Sequence, residues 1–360
     1  MTFRWGIAGT GPVSRKFALD LRMLPGAAVT RVASGQRRNA ERFASDLGVP
    51  GVASMIDELA ASPDVDAIYI ATPPAMHRAH AVTCMEAGKP VLVEKPFATS
   101  STDAEAMAET ARKRGVFCME GMWTRFLPLM TDLRARLAAG EIGGIHAFSG
   151  SFSSPNAPDP AQSLFDPDAG GGALAHRGVY PLSIACHLLG LPVAQRSLAT
   201  LGGTGVDEDG ALILRHGNGA ISTISSSLRA AAGNDFLISG EKGTIHVQAP
   251  IYRPFRMTIT RVPVQKGPAR SGEPRKEAFR EGSLMQGAHQ RLSRLTGVLK
   301  GRRSRGILRA YAGNGYHYEA AEAMARIREG ALESPLMPLS ESVAIVGIME
   351  RARDGWSVGA

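Results

Sequence analysis

The lysine of the tripeptide Glu94–Lys95–Pro96 is a candidate for chemistry in this sequence. It follows the apolar stretch PVLV, which predicts a buried strand. The carboxyl end of a parallel strand faces the crevice in which α/β proteins bind ligands. A partly desolvated lysine there can polarise a carbonyl group or exchange a proton with a hydroxyl. The tripeptide alone is equally compatible with a surface lysine before a turn proline.

A glycine-containing turn near the start of the chain is a candidate phosphate-binding site. The stretch AGTGPVSRKF, residues 8–17, follows a strand-like segment and opens a helix-like one. Gly9 would permit a tight turn and Gly11 a close approach of pyrophosphate, whereas Ser14 stands where a dinucleotide-binding pattern has its third glycine. An ordinary strand-to-helix turn is the alternative, and the strand–helix units that follow favour nucleotide binding.

The end of the second predicted strand indicates which dinucleotide would bind. Folds that select NAD usually place an acidic residue there for the ribose 2′-hydroxyl, and residues 32–38 contain none. The polar and cationic side chains at this position are Ser34, Gln36, Arg37 and Arg38. Because arginine suits a 2′-phosphate, NADP(H) is favoured over NAD(H), although the two arginines would also suit the start of a solvated helix.

Alternating strand and helix patterns up to about residue 121 must position these residues. This alternation predicts βαβ units and a parallel sheet. From about residue 142, apolar and serine-rich segments separated by glycine predict an antiparallel sheet, with turns at HGNGA and GEKGT. Within it lies a glycine-rich loop that leads into a helix, GGGALAHRGVYPLSIACHLLG, and two helices end the chain.

Composition and cysteine content narrow the class of protein. A chain of 360 residues suits two domains, and no apolar run approaches the length of a membrane span. No secretory signal is visible, and the three cysteines are far apart, so we expect reduced, buried thiols in the cytoplasm. No cluster of histidine and acidic residues has metal-ligand spacing, and no metal is expected.

The net charge of +8 comes from one segment. Residues 253–309 carry 15 Lys and Arg against 3 Glu, so the rest of the chain is near −4. A basic amphipathic helix in the insertion at about residues 264–310 could bind an anionic membrane or nucleic acid. Because aromatic residues that stack on bases are nearly absent, we favour an insertion that packs on the sheet or on a partner subunit.

Several motifs together resemble the glucose–fructose oxidoreductase/inositol dehydrogenase (Gfo/Idh/MocA) family, closest to its dihydrodiol dehydrogenase-like branch. They are RWGIAGTG, IATPPAMHRAHA…AGKPVLVEKP, MEGMWTRFLP and GGGAL…GVYPL…LLG. The resemblance implies an α/β protein: a Rossmann domain at residues 1–124, then an α/β domain at 125–360 with a large, mostly antiparallel open sheet. It also implies a homodimer or a dimer of dimers, and hydride transfer between NAD(P) and a hydroxyl-bearing carbon of a small-molecule sugar, polyol or cyclic diol.

The resemblance further implies roles for individual residues. Lys95 would be the general acid/base or carbonyl polariser, with Tyr180 as its partner on the substrate side, and Glu94 would lie near the nicotinamide ribose. Trp123 and Arg125 would contact the cofactor from the domain junction. The other implied contacts are Gly9, Thr10, Gly11, Pro12 and Val13 at the pyrophosphate, and Ala71, Thr72, Pro73 and His77 in the crevice.

One position departs from the family pattern. The branch usually has an acidic residue four positions before the tyrosine of the glycine-rich loop, where this chain has His176, followed by Arg177. Histidine exchanges protons near neutral pH but cannot act as an anion. We expect His176 to be an acid/base of a rewired site that prefers a carboxylate-bearing substrate; lost redox chemistry and a structural role are the alternatives. His77 is either a cofactor neighbour or a half-exposed helix residue.

Two other functions remain compatible with the sequence. A non-catalytic dinucleotide sensor or scaffold would explain the histidine substitution and the basic insertion. An enzyme that uses bound NAD transiently to cleave a glycoside would show no net cofactor reduction.

Overall fold

The first of two sheets is parallel and carries the glycine turn and Lys95. The computed structural model describes residues 2–262 and 304–356. Within them the sheet has six strands in the order β3-β2-β1-β4-β5-β6. They are β1 (Phe3–Ala8), β2 (Ala27–Ala33), β3 (Gly51–Ala53), β4 (Ala67–Ile70), β5 (Val91–Glu94) and β6 (Cys118–Gly121). The predicted parallel sheet is confirmed, and its strand order reverses between β1 and β4, where such sheets bind ligands.

Five helices connect these strands and cover the faces of the sheet. They are α1 (Pro12–Leu21), α2 (Arg37–Leu47), α3 (Ile56–Ala61), α4 (His77–Glu86) and α5 (Ser101–Arg114). Strands β4 and β5, with sequences AIYI and VLVE, are buried at every residue. Continuous apolar runs of this kind are what a parallel sheet covered on both faces requires.

The second sheet is mostly antiparallel, as predicted. Its eight described strands lie in the order β14-β13-β12-β11-β7-β10-β9-β8. They are β7 (Ile145–Ser153), β8 (Pro192–Leu201), β9 (Asp207–His216), β10 (Ile221–Ser227), β11 (Phe236–Gly240), β12 (Gly243–Val247), β13 (Arg256–Arg261) and β14 (Ser304–Leu308). Only β7 and β10 run parallel among these, because a crossover through α7 (Val179–Leu189) and the β8–β9 hairpin separates them.

The helices that follow the first sheet link the two halves of the chain. After β6 come a short turn, Trp123–Phe126, and α6 (Pro128–Ala138); α8 (Tyr316–Arg328) and α9 (Leu339–Asp354) end the chain. The predicted domain boundary at residues 124/125 falls in that turn and stays a prediction. Helices α8 and α9, assigned to the second domain, pack against α1 and α5 of the first.

Two further expectations from the sequence concern the basic segment and the absence of a membrane span. The basic segment predicted at residues 264–310 lies outside the described residues up to residue 303. Its last part forms the edge strand β14. No helix in the described ranges is long and apolar enough to cross a membrane.

A buried aspartate on α1 holds the start of α8. The Asp20 carboxylate is 1% exposed and accepts hydrogen bonds from the backbone N–H groups of Asn314 (2.9 Å), Gly315 (2.7 Å) and Tyr316 (2.9 Å). A carboxylate is favourable at a helix N-terminus because the first N–H groups lack partners within the helix and carry the positive end of the helix dipole. Asp20 therefore attaches the C-terminal helices to the first domain.

We expect Asp20→Ala to lower the free energy of unfolding by about 2–4 kcal/mol, because several buried N–H groups lose their acceptor. Urea denaturation followed by circular dichroism measures it. The matched control is Asp46→Ala, which removes a half-exposed ion pair with Arg15 (2.7 Å). That control should cost less than about 1 kcal/mol. Equal effects of the two substitutions would contradict the role given to Asp20.

Candidate active site

A cavity of about 720 Å³ lies at the carboxyl ends of the first sheet's strands. Its position at the β1/β4 switch point and its size suit a small-molecule site. One end is formed by the glycine turn and the other by Lys95 and His176, so two predicted motifs from separate parts of the chain share one space. The lining includes Gly9, Thr10, Gly11, Pro12, Val13, Ser34, Ala71, Thr72, Pro73, Glu94, Lys95, Ser163 and His176.

The glycine turn has the geometry that a pyrophosphate needs. Gly9 has φ of +106°, and a β-carbon there would lie 2.5 Å from the carbonyl oxygen of Ala71. A β-carbon on Gly11 would meet nothing within 4 Å, so that side of the turn is open. Helix α1 begins at Pro12 and no side chain caps it. Its first N–H groups are therefore available to an anion, and the turn fits a dinucleotide.

Two of the four predicted 2′-phosphate residues, Ser34 and Arg37, lie at one edge of the cavity. Ser34 lines it, as does Ser54. Arg37 donates to Ser54 Oγ (3.2 Å) and to Glu41 Oε1 (2.9 Å), which places its guanidinium beside the lining. Gln36 precedes the first turn of α2 and Arg38 is exposed within it; neither lines the cavity.

His77 lies behind the cavity wall and not on it. The side chain is wholly buried, so the half-exposed alternative is wrong. Its Nε2 is 2.9 Å from the Thr72 carbonyl oxygen and its Nδ1 is 3.0 Å from that of Pro96. Burial lowers the pKa of His77 to about 4, so the ring is neutral and donates through one nitrogen. It ties together the loops after β4 and β5. The neighbouring His80 does line the cavity and bonds Thr72 Oγ1 (3.1 Å).

The three predicted catalytic residues meet around the Lys95 ammonium group. Lys95 Nζ donates to the backbone oxygen of His176 (3.2 Å) and lies 5.0 Å from the centre of the Tyr180 ring. Burial lowers the pKa of Lys95, while the charges of Glu94 and Glu120 act in the opposite direction. The fold thus holds a partly desolvated lysine at the end of β5, with its nitrogen oriented by the glycine-rich loop.

The other two members of this group are uncharged at neutral pH. His176 Nε2 is buried without a hydrogen-bond partner among the described residues, and burial, followed by the charges of Lys95 and Arg177, lowers its pKa to about 3. The Tyr180 hydroxyl accepts from Trp123 Nε1 (3.3 Å), and burial raises its pKa. Tyr180 faces Lys95 with its ring and not with its hydroxyl. Their catalytic roles stay predictions.

Glu94 lies at the floor of the cavity beside Lys95. Tyr69 donates its hydroxyl to Glu94 Oε1, and the Lys95 backbone N–H donates to Oε2 (3.2 Å). Burial raises the pKa of the Glu94 carboxyl, and the charge of Lys95 opposes the rise. From this position Glu94 could lie near the nicotinamide ribose, and that contact stays a prediction.

Trp123 and Arg125 do not line the cavity. Trp123 stacks on Tyr316 with ring centres 4.4 Å apart. Arg125 is wholly buried and donates to the Ser183 carbonyl oxygen (2.7 Å) and to Glu341 Oε1 (2.7 Å). Its guanidinium joins α7 to the start of α9. The implied cofactor contact of Arg125 is therefore corrected to a structural one, because all its polar capacity is directed into the protein.

Asp207 is a site-shaping residue that sequence reasoning missed. Its Oδ2 accepts from the backbone N–H of Leu174 (2.7 Å), and a β-carbon on Gly172, which has φ of +112°, would overlap its Oδ1. The carboxylate thus holds the glycine-rich loop that presents His176. Asp207 follows that loop by 33 residues, and no local motif marks it.

Comparisons with known proteins agree with this geometry. Residues 3–122 match the model described as "Oxidoreductase family, NAD-binding Rossmann fold", and residues 130–246 match the "GFO/IDH/MocA C-terminal domain". Trans-1,2-dihydrobenzene-1,2-diol dehydrogenase of Bos taurus is 30% identical over 98% of this chain and 96% of its own. The Homo sapiens protein of that name is 29% identical, with the same coverage.

Solved structures show the same fold at lower identity. KijD10, a 3-ketoreductase from Actinomadura kijaniata in complex with NADP and TDP-benzene, has a TM-score of 0.78 and 23% identity over 99% of this chain and 98% of that one. An aldose–aldose oxidoreductase from Caulobacter crescentus complexed with glycerol has a TM-score of 0.78 and 20% identity over all of both chains.

Proposed function

The chain belongs to the Gfo/Idh/MocA family of oxidoreductases, and from this membership we propose that it is an NADP(H)-dependent dehydrogenase or reductase. Its substrate would be a sugar, polyol or cyclic diol that reacts at a hydroxyl-bearing carbon. The observation that carries the proposal is one cavity that has the glycine turn at one end and the partly desolvated Lys95 at the other.

Some residues of the cavity would bind the cofactor, and Lys95 would transfer the proton. When bound, a nicotinamide dinucleotide supplies a hydride acceptor or donor. The N–H groups at the start of α1 would bind its pyrophosphate, and Gly11 leaves room for that approach. Lys95 would accept the hydroxyl proton of an alcohol during oxidation and return it during reduction. Because burial lowers its pKa, the uncharged form becomes available at lower pH than for an exposed lysine.

The preference for NADP(H) rests on Arg37. We expect Arg37→Ala to weaken NADPH binding about 10-fold or more, because a charge-assisted hydrogen bond to the 2′-phosphate is lost. NADH binding should change by less than about 2-fold, since NADH lacks that phosphate and offers the guanidinium no such charge-assisted bond. Titrations of both cofactors, followed by tryptophan fluorescence, measure the two dissociation constants. The same titrations on Arg38→Ala give the comparison with the neighbouring arginine. An equal loss for both cofactors would contradict a 2′-phosphate contact.

The activity itself is tested by following NADPH absorbance with a panel of alcohols. The panel includes trans-1,2-dihydrobenzene-1,2-diol, glucose, glucuronate and myo-inositol. Turnover of at least one member with NADP⁺ is the expected result. Folded protein that binds NADPH but reduces no NADP⁺ with any alcohol, and oxidises no NADPH with the corresponding ketones, would instead favour the non-catalytic sensor.

We also propose a homodimer in the cytoplasm. The face of the second sheet turned away from α7 and α9 exposes Leu198 (81%) and Ile213 (53%), large apolar side chains that a second subunit could cover. Light scattering measures this assembly. The thiols of Cys84, Cys118 and Cys186 are buried and unpaired, which suits a reducing compartment.

A further inference from the structure

Arg177 carries a half-buried positive charge without an opposite charge beside it. Across residues 2–262 and 304–356, its guanidinium forms no ion pair with a carboxylate. The side chain donates only to the neutral Asn156 Oδ1 and stacks on Phe152, with Cζ 5.3 Å from the ring centre. Burial lowers the pKa of Arg177. Partial removal of a guanidinium from water is unfavourable unless an anion compensates.

A second cation lies on the same aromatic cluster. The rings of Phe152 and Tyr180 are 5.5 Å apart, with Arg177 against the first and Lys95 against the second. The two charges are close enough that Arg177 lowers the pKa of Lys95. Arg177 belongs to the glycine-rich loop and Lys95 Nζ donates to the His176 carbonyl oxygen of the same loop. His176 lines the cavity and leaves Nε2 without a partner among the described residues. Lys95 is the cation among the residues that line this end of the cavity, and Arg177, which directly follows the lining residue His176, adds a second positive charge next to it.

The acidic residues of the segment that precedes the glycine-rich loop do not neutralise the charge of Arg177. Asp159 accepts from Ala161 N–H (3.0 Å) and from Gln162 Nε2 (3.0 Å), and Asp166 accepts from Asp168 N–H (2.9 Å). These carboxylates stabilise turns of their own loop. Glu94 and Glu120 lie near Lys95 and oppose the lowering of its pKa, whereas the pKa of Arg177 is lowered by burial and no carboxylate of the described residues opposes that shift.

We propose that the substrate carries an anionic group, a carboxylate or a phosphate, that Arg177 binds while the reacting hydroxyl lies at Lys95. This inference rests on the proposed dehydrogenase function and narrows its substrate to anionic polyols, such as uronic acids or sugar phosphates. A guanidinium binds either oxyanion through two parallel hydrogen bonds. A neutral sugar would leave Arg177 partly desolvated and without an anion.

The test compares glucose, glucuronate and glucose 6-phosphate on the NADP⁺-loaded protein. We measure kcat/KM where turnover occurs and Kd by calorimetry in every case. At least one anionic probe should exceed glucose by about 10-fold or more. Whichever of glucuronate and glucose 6-phosphate gives the larger gain over glucose shows whether the site prefers a carboxylate or a phosphate. Arg177→Gln should reduce that ratio about 10-fold or more, and Arg177→Lys should retain part of it because the charge remains.

The control variant is Arg112→Gln, which removes the same charge from an exposed position on α5 and should leave the ratio unchanged. Equal constants for charged and neutral probes, or binding of none of them, would overturn the inference. If the Arg177 variants fail to fold, the ratio of the anionic probe to glucose in the wild-type protein is sufficient to test the inference. Failure of the proposed function is distinguishable, because it would appear as absent NADPH binding or as turnover that does not need Lys95.

Discussion

Replacing Lys95 by alanine is expected to lower kcat by about 10²–10⁴-fold, the range that a positioned general acid/base contributes. Lys95 Nζ is the only side-chain cation that lines the cavity among the described residues. The two histidines of the lining are weaker bases than a lysine, because burial lowers the pKa of His176 to about 3 and also lowers that of His80.

The binding of NADPH to the same variant should change little. The glycine turn at the far end of the cavity supplies the pyrophosphate contacts, and Lys95→Ala leaves that turn intact. Stopped-flow or steady-state absorbance at saturating cofactor measures kcat, and fluorescence titration measures Kd. Lys113→Ala, which removes an exposed lysine on α5, is the matched control. Retained turnover in Lys95→Ala would remove Lys95 from the mechanism.

Gly11→Ala is expected to separate cofactor binding from folding. Gly11 has φ of −70° and ψ of 178°, a conformation that alanine adopts without strain, and the added β-carbon meets no protein atom within 4 Å. Such a replacement stabilises a fold by about 0.4–1 kcal/mol, because it restricts the unfolded chain. The same methyl group projects into the space proposed for the pyrophosphate, so we expect NADPH affinity to fall about 100-fold, or about 2.7 kcal/mol.

Gly9→Ala is the informative contrast to this variant. Its β-carbon would lie 2.5 Å from the Ala71 carbonyl oxygen at a φ of +106°, so both stability and NADPH affinity should fall. Urea denaturation and cofactor titration of the two variants give the comparison. Unchanged NADPH affinity in a folded Gly11→Ala protein would show that the turn does not contact the cofactor.

The sequence by itself predicted the two sheets and both ends of the cavity. Buried strands such as β5 appear as continuous apolar runs, and strands with one exposed face alternate, so local periodicity reports how many faces are covered. The glycine turn and Lys95 could be found for the same reason. Each lies at the carboxyl end of a predicted strand, and the topology of parallel sheets brings those ends to one edge.

Only the tertiary structure decided which distant groups meet there. The contact of Lys95 Nζ with the His176 carbonyl spans 81 residues, and that of Asp20 with Asn314 spans 294. Arg125 stands in a motif that implied a cofactor contact, yet it turns inward to Ser183 and Glu341. A polar side chain is directed by the unpaired backbone and charged groups that packing brings within reach, and these come from elements far away in the chain. No local pattern carries that information, which is why Asp207 and the unpaired charge of Arg177 emerged only from the folded structure.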